Sequence, residues 1–293
     1  MVLLNGKPIQ FINFPDGTLK IDIPDIEDMD TDEYYTLEWH YENDAEFMQV
    51  AFIKMHLDNN VYTNELASIL YMPYVVNARM DRQKADSEVF TLKYFAKLIN
   101  NLHFDEVVVL DPHSYVSEAL FDHLTIISAE PFIDQALETV SEETGVKRED
   151  IVLFFPDEGS QKRYKTDSLT DHVSFFGNKV REWKSGHILG VNIETHTDKG
   201  LDYLKDKTVL IIDDIISAGG TVYYSIKELE KHNVKNVYAY CSHLENTMFI
   251  QKENKLRDML NDNSTLKGII TTDSIYNGEH DFVTVLSSDV EGI

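Results

Sequence analysis

The stretch VLIIDDIISAGGTVYYSI, residues 209–226, decides the fold class of this chain. It begins with an apolar run typical of a buried strand and continues into two adjacent aspartates, Asp213 and Asp214. A turn of small residues follows, and a helical pattern begins after it. In open α/β sheets, ligands bind beyond the carboxyl ends of the strands. The stretch therefore predicts a strand that ends in two carboxylates, then an open loop and a helix.

The loop of this stretch consists of Ser217, Ala218, Gly219, Gly220 and Thr221. A turn rich in Gly and Ser/Thr ahead of a helix N-terminus points several backbone N–H groups at one spot, which favours an anion there. Because carboxylates repel phosphate, we expect the aspartates to bind sugar hydroxyls or a hydrated cation beside it. A phosphate with two vicinal hydroxyls is a ribose phosphate. A helix cap beside exposed aspartates is the alternative, but strand, acidic pair, loop and helix together favour the binding site.

The composition limits the possible partners. The chain has 293 residues and a formal net charge of −25, so its surface repels nucleic acid. Hydrophobic residues make up 43%, which is enough for one large domain or two ordinary ones. The single cysteine, Cys241, excludes a disulfide within the chain and is expected in a buried strand. No secretion signal or long apolar run is recognisable. We therefore expect a cytoplasmic protein without a membrane partner, in a bacterium or in a host cell if phage-encoded.

Hydrophobic periodicity predicts alternating strands and helices, which indicates an α/β fold with mainly parallel sheets. The predicted strands span residues 67–75, 105–113, 150–159, 186–193, 207–214, 235–243 and 266–274. The predicted helices span residues 47–59, 92–101, 132–144, 221–232 and 246–261. Residues 11–23 are typical of a hairpin, and the acidic run at 22–35 of a solvated loop. Similar strand ends in the two halves predict duplicated domains at residues 1–130 and 131–293.

Seven stretches, in order along the chain, resemble motifs of the ribose-phosphate pyrophosphokinase (PRPP synthetase) family. They are FPDGTLKIDI (14–23), YMPYVVNARMDRQK (71–84), VVVLDPHSYVSEALF (107–121), FFPDEGSQKR (154–163), GNKVREW (177–183), VLIIDDIISAGGT (209–221) and IITTDSI (269–275). The resemblance implies two tandem phosphoribosyltransferase-like domains, each a mainly parallel sheet flanked by helices. It also implies an enzyme that transfers the β,γ-pyrophosphoryl group of Mg-ATP to the C1 hydroxyl of ribose 5-phosphate and releases AMP.

The resemblance also implies the roles of the catalytic and metal-binding residues. Lys179 and Arg181 are the expected catalytic pair, which projects from one side of an extended loop and stabilises the transferring phosphates. His113 and Asp157 are the expected ligands of the cofactor, Mg²⁺. A histidine hydrogen-bonded at a strand end is the alternative for His113, because Mg²⁺ prefers oxygen ligands.

Substrate contacts follow from the same resemblance. The ribose phosphate is assigned to Asp213, Asp214 and the loop from Ser217 to Thr221. The expected ATP contacts are Phe14, Asp16, Arg79, Asp81 and Arg82. Since the family's Phe14 loop completes the ATP site of a neighbouring subunit, we expect a homo-oligomer based on dimers, with a hexamer as the larger assembly. A core position is the alternative for Phe14.

The chain departs from the family pattern in both substrate segments. Thr18 replaces a glutamate of the first motif, and Lys84 is the one basic residue left after Asp81-Arg82. Ser217 replaces an aspartate of the phosphate loop, and Ala218 replaces a threonine. A looser, less polar loop accepts a larger ester, and divergent, phage-type members are proposed to pyrophosphorylate ADP-ribose for rebuilding NAD. ADP-ribose is therefore the alternative acceptor. A catalytically silent regulatory member of the family and a PRPP-consuming phosphoribosyltransferase are the alternatives from other functional classes.

Overall fold

The computed structural model describes residues 1–23, 26, 33–164, 169–181, 188–195, 198–261 and 265–288. They form two compact units, Met1–Ile127 and Ser128–Ile293. No helix in these described ranges is long and apolar enough to cross a membrane.

The first unit is built on a six-stranded sheet in the order β2-β1-β5-β6-β7-β8. Its strands are β1 (Val2–Leu4), β2 (Lys7–Pro8), β5 (Tyr34–Trp39), β6 (Ala67–Tyr71), β7 (Glu106–Leu110) and β8 (Leu124–Ile127), and β3 (Gln10–Asn13) and β4 (Leu19–Asp22) form a separate hairpin. Its helices are α1 (Glu46–Asp58), α2 (Thr91–Asn100) and α3 (Val116–Leu120). β5 to β8 pair in parallel, whereas β1 pairs antiparallel with β5 and β2. The predicted hairpin and the strands at 67–75 and 105–113 are confirmed.

The second unit is built on a seven-stranded sheet in the order β11-β10-β9-β12-β13-β14-β15. Its strands are β9 (Val152–Phe155), β10 (Ser174–Arg181), β11 (Ile188–Glu194), β12 (Thr208–Ile216), β13 (Asn236–Leu244), β14 (Leu266–Thr272) and β15 (Val283–Leu286). Its helices are α4 (Glu130–Thr144), α5 (Glu158–Arg163), α6 (Gly220–Lys231), α7 (Thr247–Ile250) and α8 (Lys255–Asn261). All neighbouring strands pair in parallel except the antiparallel edge pair β10–β11. The mainly parallel α/β fold is thus confirmed in both units.

The cores explain why the central strands form. In β7 and β12 four or more successive residues are buried, because a parallel strand is covered by other elements on both faces. Helices α2 and α6 each bury one stripe, which includes Leu92, Phe95 and Ile99 of the first and Val222, Ile226 and Leu229 of the second.

Two predicted elements are wrong in part. The predicted helix at 246–261 is broken into α7 and α8, because the backbone turns to an extended conformation at Gln251; across the break, Arg257 donates to the carbonyls of Phe249 and Gln251. The acidic run at 22–35 does not end as a solvated loop, since Tyr34 begins β5 and Tyr35 is buried. Most of the rest of that run lies outside the described residues.

Candidate functional site

Strand β12 carries the two aspartates inside the sheet rather than at its end. Its parallel pairing with β13 continues to Ile216 and Leu244, so the prediction that the strand ends in two charges is wrong. Successive strand residues point to opposite faces. Asp214 is only 8% exposed, whereas Asp213 is half-buried and accepts the backbone N–H of Asp214 at 3.1 Å. Asp213 therefore offers the more accessible carboxylate.

The loop after β12 leads directly into a helix N-terminus. Gly219 adopts φ +74°, a left-handed conformation that favours glycine, and α6 starts at the next residue. A Cβ on Gly219 would lie 2.4 Å from Cδ2 of Leu256 on α8, so α8 closes the loop on that side. Around Gly220 the space is open, with no atom within 4 Å of an added Cβ. In the described part of the chain no side chain caps α6, which leaves its first N–H groups available to an anion.

Two side chains from beyond β13 hold this loop in place. Glu245 accepts a hydrogen bond from Ser217 Oγ at 2.6 Å and another from Thr247 Oγ1 at 3.2 Å. Asn254 Nδ2 donates to the carbonyl of Ala218 at 3.0 Å. The side-chain hydroxyl of Ser217 thus donates to a carboxylate, and the Ala218 methyl group is exposed.

Cys241 lies beside Asp213 in the parallel register of β13 and β12. Its side chain is fully buried, and burial raises the pKa of the thiol, with the negative charge of Asp213 acting in the same direction. A thiol held protonated is a poor nucleophile. The interpretation of Cys241 as a buried strand residue is confirmed.

Lys179 and Arg181 lie on β10, which pairs antiparallel with β11 as far as residue 188. The prediction of an extended loop is therefore wrong at these two positions, because the backbone of β11 provides a pairing partner for them. The register shifts between Val180 and Arg181, which is where a strand changes its twist. The side chains of Lys179 and Arg181 lie outside the described residues.

A close backbone approach fixes β10 against the end of β9. A Cβ on Gly177 would lie 2.7 Å from the carbonyl oxygen of Pro156 and 2.6 Å from Val191 Cγ1. Gly177 therefore allows the β10 backbone to approach Pro156, the residue that directly precedes the predicted metal ligand Asp157.

The two predicted metal ligands each follow a strand, one in each unit. Asp157 caps α5, where its Oδ1 accepts from the backbone N–H and the hydroxyl of Ser160, both at 2.9 Å. His113 lies shortly after β7 and is half-buried. Among the described residues no group of three or more His, Cys, Asp or Glu side chains could hold a metal ion.

The β3–β4 hairpin exposes the residues predicted to reach ATP. The Phe14 side chain is 50% exposed, so the alternative core position is wrong for this unit. Asp16 accepts from the Thr18 backbone N–H at 3.0 Å and from its hydroxyl at 2.7 Å. These hydrogen bonds, the backbone one first, hold the pKa of Asp16 below its usual value. Thr18, which replaces the family's glutamate, thus organises the hairpin tip.

The remaining predicted ATP contacts follow β6 in the first unit. Arg79 is exposed, and Arg82 is an exposed guanidinium with Nε at 3.2 Å from Oδ1 of Asp81. An exposed pair of this kind contributes little to stability. Both arginines therefore lie where a ligand could reach them.

Comparisons with known proteins show which proteins the chain resembles. The phosphoribosyl transferase domain family matches residues 161–272. The chain is 26% identical over 265 residues to the ribose-phosphate pyrophosphokinase of Sulfurisphaera tokodaii, a match that covers 89% of this chain and 82% of that protein. It is 29% identical over 219 residues to ribose-phosphate pyrophosphokinase 2 of Archaeoglobus fulgidus, which covers 74% and 70%. The chain is thus similar in sequence to ribose-phosphate pyrophosphokinases over most of its length.

Two further comparisons concern the length of the relatives and the fold. The match to the ribose-phosphate pyrophosphokinase of Bacillus subtilis, 26% identical over 210 residues, covers 70% of this chain but only 59% of that protein. The phosphoribosylpyrophosphate synthetase of Mycobacterium smegmatis has the same fold, with a TM-score of 0.69, 17% identity and coverage of 96% of this chain and 86% of that chain. The predicted fold of two phosphoribosyltransferase-like domains is thereby confirmed.

The predicted metal ligands of this chain fit one kind of magnesium site. In nucleotide-binding proteins Mg²⁺ keeps several waters and takes one or two carboxylates together with substrate phosphates. Of the two predicted ligands, Asp157 supplies a carboxylate at the N-terminus of α5, whereas His113 offers a ring nitrogen. A single carboxylate suits a magnesium ion that completes its coordination with water and phosphate oxygens.

Sequence reasoning missed Glu245 and Asn254. Both follow β13 and reach back to a loop that lies 28 and 36 residues earlier in the chain. Their approach to the loop depends on the parallel pairing of β12 with β13. No local sequence motif predicts a contact over that distance along the chain.

Proposed function

We propose that this chain is a magnesium-dependent pyrophosphokinase that transfers the β,γ-pyrophosphoryl group of ATP to the C1 hydroxyl of a 5-phosphorylated ribose. Ribose 5-phosphate is the default acceptor, and the products are PRPP and AMP. One observation carries the proposal: β12 presents Asp213 just before an open glycine loop at the N-terminus of α6. This arrangement provides an anion site next to a carboxylate, which is the chemistry that a ribose phosphate requires.

The acceptor end of the site follows from that arrangement. The backbone N–H groups at the start of α6 bind the 5-phosphate, and the helix dipole favours its negative charge. The carboxylate of Asp213 accepts hydrogen bonds from the ribose hydroxyls. Together they hold the sugar at both ends, which leaves C1 oriented for attack.

The transfer itself needs alignment and charge neutralisation rather than a covalent intermediate. The C1 oxygen forms a bond to the β-phosphorus, the bond from that phosphorus to the α,β-bridging oxygen breaks, AMP leaves and the hydroxyl proton passes to water. Lys179 and Arg181 stabilise the charge on the transferring phosphates. By family resemblance His113 and Asp157 would hold magnesium, which would neutralise part of the phosphate charge.

The ATP end of the site is assigned to the first unit by family resemblance. Arg79 contacts the adenine, and Asp81 and Arg82 complete that segment. Phe14 and Asp16 reach the nucleotide of a neighbouring subunit, which makes the enzyme a homo-oligomer. The exposure of Phe14 and Arg79 supports these assignments.

ADP-ribose is the second candidate acceptor, and the phosphate loop favours it. Ser217 donates its proton to Glu245, and Ala218 has none to give, so neither side chain offers a hydroxyl donor to a terminal phosphate. Such a loop suits a phosphate that already carries a second substituent, as the 5-phosphate of ADP-ribose does through its anhydride bond. The chain would then make ADP-ribose pyrophosphate.

Product analysis tests the proposed function. The protein is incubated with Mg-ATP and either ribose 5-phosphate or ADP-ribose, and the products are separated and weighed by mass spectrometry. We expect AMP together with a sugar that has gained a pyrophosphoryl group. Acceptor-independent ATP hydrolysis, or no AMP with either acceptor, would contradict the proposal.

A second prediction concerns the acidic pair. Asp213→Asn is expected to weaken acceptor binding by about 10- to 100-fold, since a hydrogen bond to a charged group contributes about 1.5–3 kcal/mol. Asp214→Asn should also weaken it, and in both variants ATP affinity should stay within about threefold of wild type. Calorimetry with each ligand measures both affinities.

Asp206→Asn is the matched control for these variants. Asp206 is an exposed residue just before β12 with φ +59°, a conformation that asparagine also tolerates. It removes the same charge without touching the loop. Loss of ATP affinity with intact acceptor affinity in Asp213→Asn would mean that the two sites are reversed.

A further inference from the structure

Glu245 brings a negative charge to the loop that is expected to bind a phosphate. It is the first residue after β13, and its backbone N–H donates to the carbonyl of Ile216 at 2.9 Å, so its position beside the loop is fixed by the sheet. Its half-buried side chain accepts from Ser217 at 2.6 Å and from Thr247 at 3.2 Å. A carboxylate held by two hydroxyls at an anion site requires an explanation.

The contact with Ser217 changes what the loop can offer. A serine hydroxyl has one proton, and here that proton is directed to Glu245. Ser217 therefore presents only lone pairs on its other side. The Ala218 side chain has no donor either, and its carbonyl accepts from Asn254. The donors that remain for a phosphate in this part of the loop are therefore backbone N–H groups and the Thr221 hydroxyl.

The negative charge of Glu245 also disfavours a terminal phosphate. Like charges repel strongly in a partly buried site, where solvent screening is incomplete. A terminal phosphate carries a charge near −2 at neutral pH, whereas a phosphate with a second ester bond carries −1. The second charge of a terminal phosphate is thus the part that Glu245 opposes.

We propose that Glu245 is a specificity residue that makes the loop discriminate between acceptors by the charge of their phosphate, favouring a phosphodiester over a terminal phosphate. This inference rests on the proposed function of the loop. The discrimination then depends on a carboxylate outside the loop motif. It responds to the charge of the phosphate and not to the size of the group attached to that phosphate.

The test compares two acceptors that differ in charge and by one methyl group, ribose 5-phosphate and its methyl ester, ribose 5-(methyl phosphate). Glu245→Gln keeps the shape and the acceptor for Ser217 but removes the charge. We expect the ratio of kcat/KM for ribose 5-phosphate to that for the ester to rise by roughly tenfold, mainly through KM. Glu245→Asp, which retains the charge, should keep the wild-type ratio.

Glu253→Gln is the control, because Glu253 is exposed and lies on the segment between α7 and α8. It should leave the ratio unchanged. A ratio that stays within twofold of wild type in Glu245→Gln, or an equal loss with both acceptors, would overturn the inference and leave Glu245 as a structural brace.

Calorimetry separates this inference from the proposed function. If wild-type protein releases no AMP with any acceptor, the pyrophosphokinase proposal fails. The affinities of the two sugar phosphates for wild type and Glu245→Gln still report the charge discrimination, and an unchanged affinity ratio would overturn it.

Discussion

Replacing Lys179 by alanine is expected to lower kcat by roughly 100-fold or more, as for the loss of an electrostatic donor to a transition state. The expected KM for ATP changes little, because the interaction is made with charge that develops during transfer. Steady-state measurement of AMP release gives both constants. The position of Lys179 on β10, in the GNKVREW motif, motivates the prediction.

Asn178→Ala is the matched control for this variant. Asn178 is the preceding residue of β10, and its amide donates to Glu194 of β11 at 3.1 Å. This substitution perturbs the same strand pair without removing a positive charge. A Lys179→Ala enzyme with near-wild-type kcat, or an equal loss in Asn178→Ala, would remove Lys179 from the mechanism.

The second large effect is expected at Gly219. Alanine there must adopt φ +74°, which costs about 1–2 kcal/mol. Its Cβ would also collide with Leu256, and overpacking of this kind costs about 1–3 kcal/mol. We expect Tm to fall by roughly 4–20 °C, on the scale of a domain of this size, and acceptor affinity to fall with it as the loop shifts.

Gly220→Ala is the control for Gly219→Ala. Gly220 has open space around an added Cβ and lies in the first turn of α6, where alanine is favoured. Thermal unfolding followed by circular dichroism compares the two variants. Equal Tm values would mean that neither the backbone conformation nor the contact with α8 constrains the loop.

The elements that could be predicted from sequence are those with a local signal. The apolar run at 209–212 and the small residues before α6 predict the strand, the loop and the helix, because each pattern lies within the segment that it describes. The same holds for β7 and α2. The hairpin β3–β4 was found from its turn residues.

The features that escaped prediction depend on distant partners. β10 extends through Lys179 and Arg181 because β11 pairs with it, although three of its last four residues are polar. The break between α7 and α8 lies at Gln251, where the backbone is extended and Arg257 reaches back to the carbonyls of Phe249 and Gln251. The helical periodicity across 246–261 gives no sign of this break.

The candidate site likewise combines residues with a local sequence signal and contacts that depend on distant partners. Its loop and Asp213 could be named from the motif, whereas the opposite orientation of Asp214 and the continuation of β12 to Ile216 required the register with β13. Glu245 reaches Ser217 only through that register. Residue types that carry the chemistry were thus predictable, and the contacts that tune it were not.

The central claim is that an intact pyrophosphoryl group moves from ATP to C1 of a phosphorylated ribose, and the fate of the β-phosphorus tests it most directly. ATP labelled with ³²P at the β position is incubated with the protein, Mg²⁺ and ribose 5-phosphate, and in parallel with ADP-ribose. The account predicts that the label appears in the sugar product while the released AMP is unlabelled. Label retained in ADP, or released as free pyrophosphate without a labelled sugar, would contradict it.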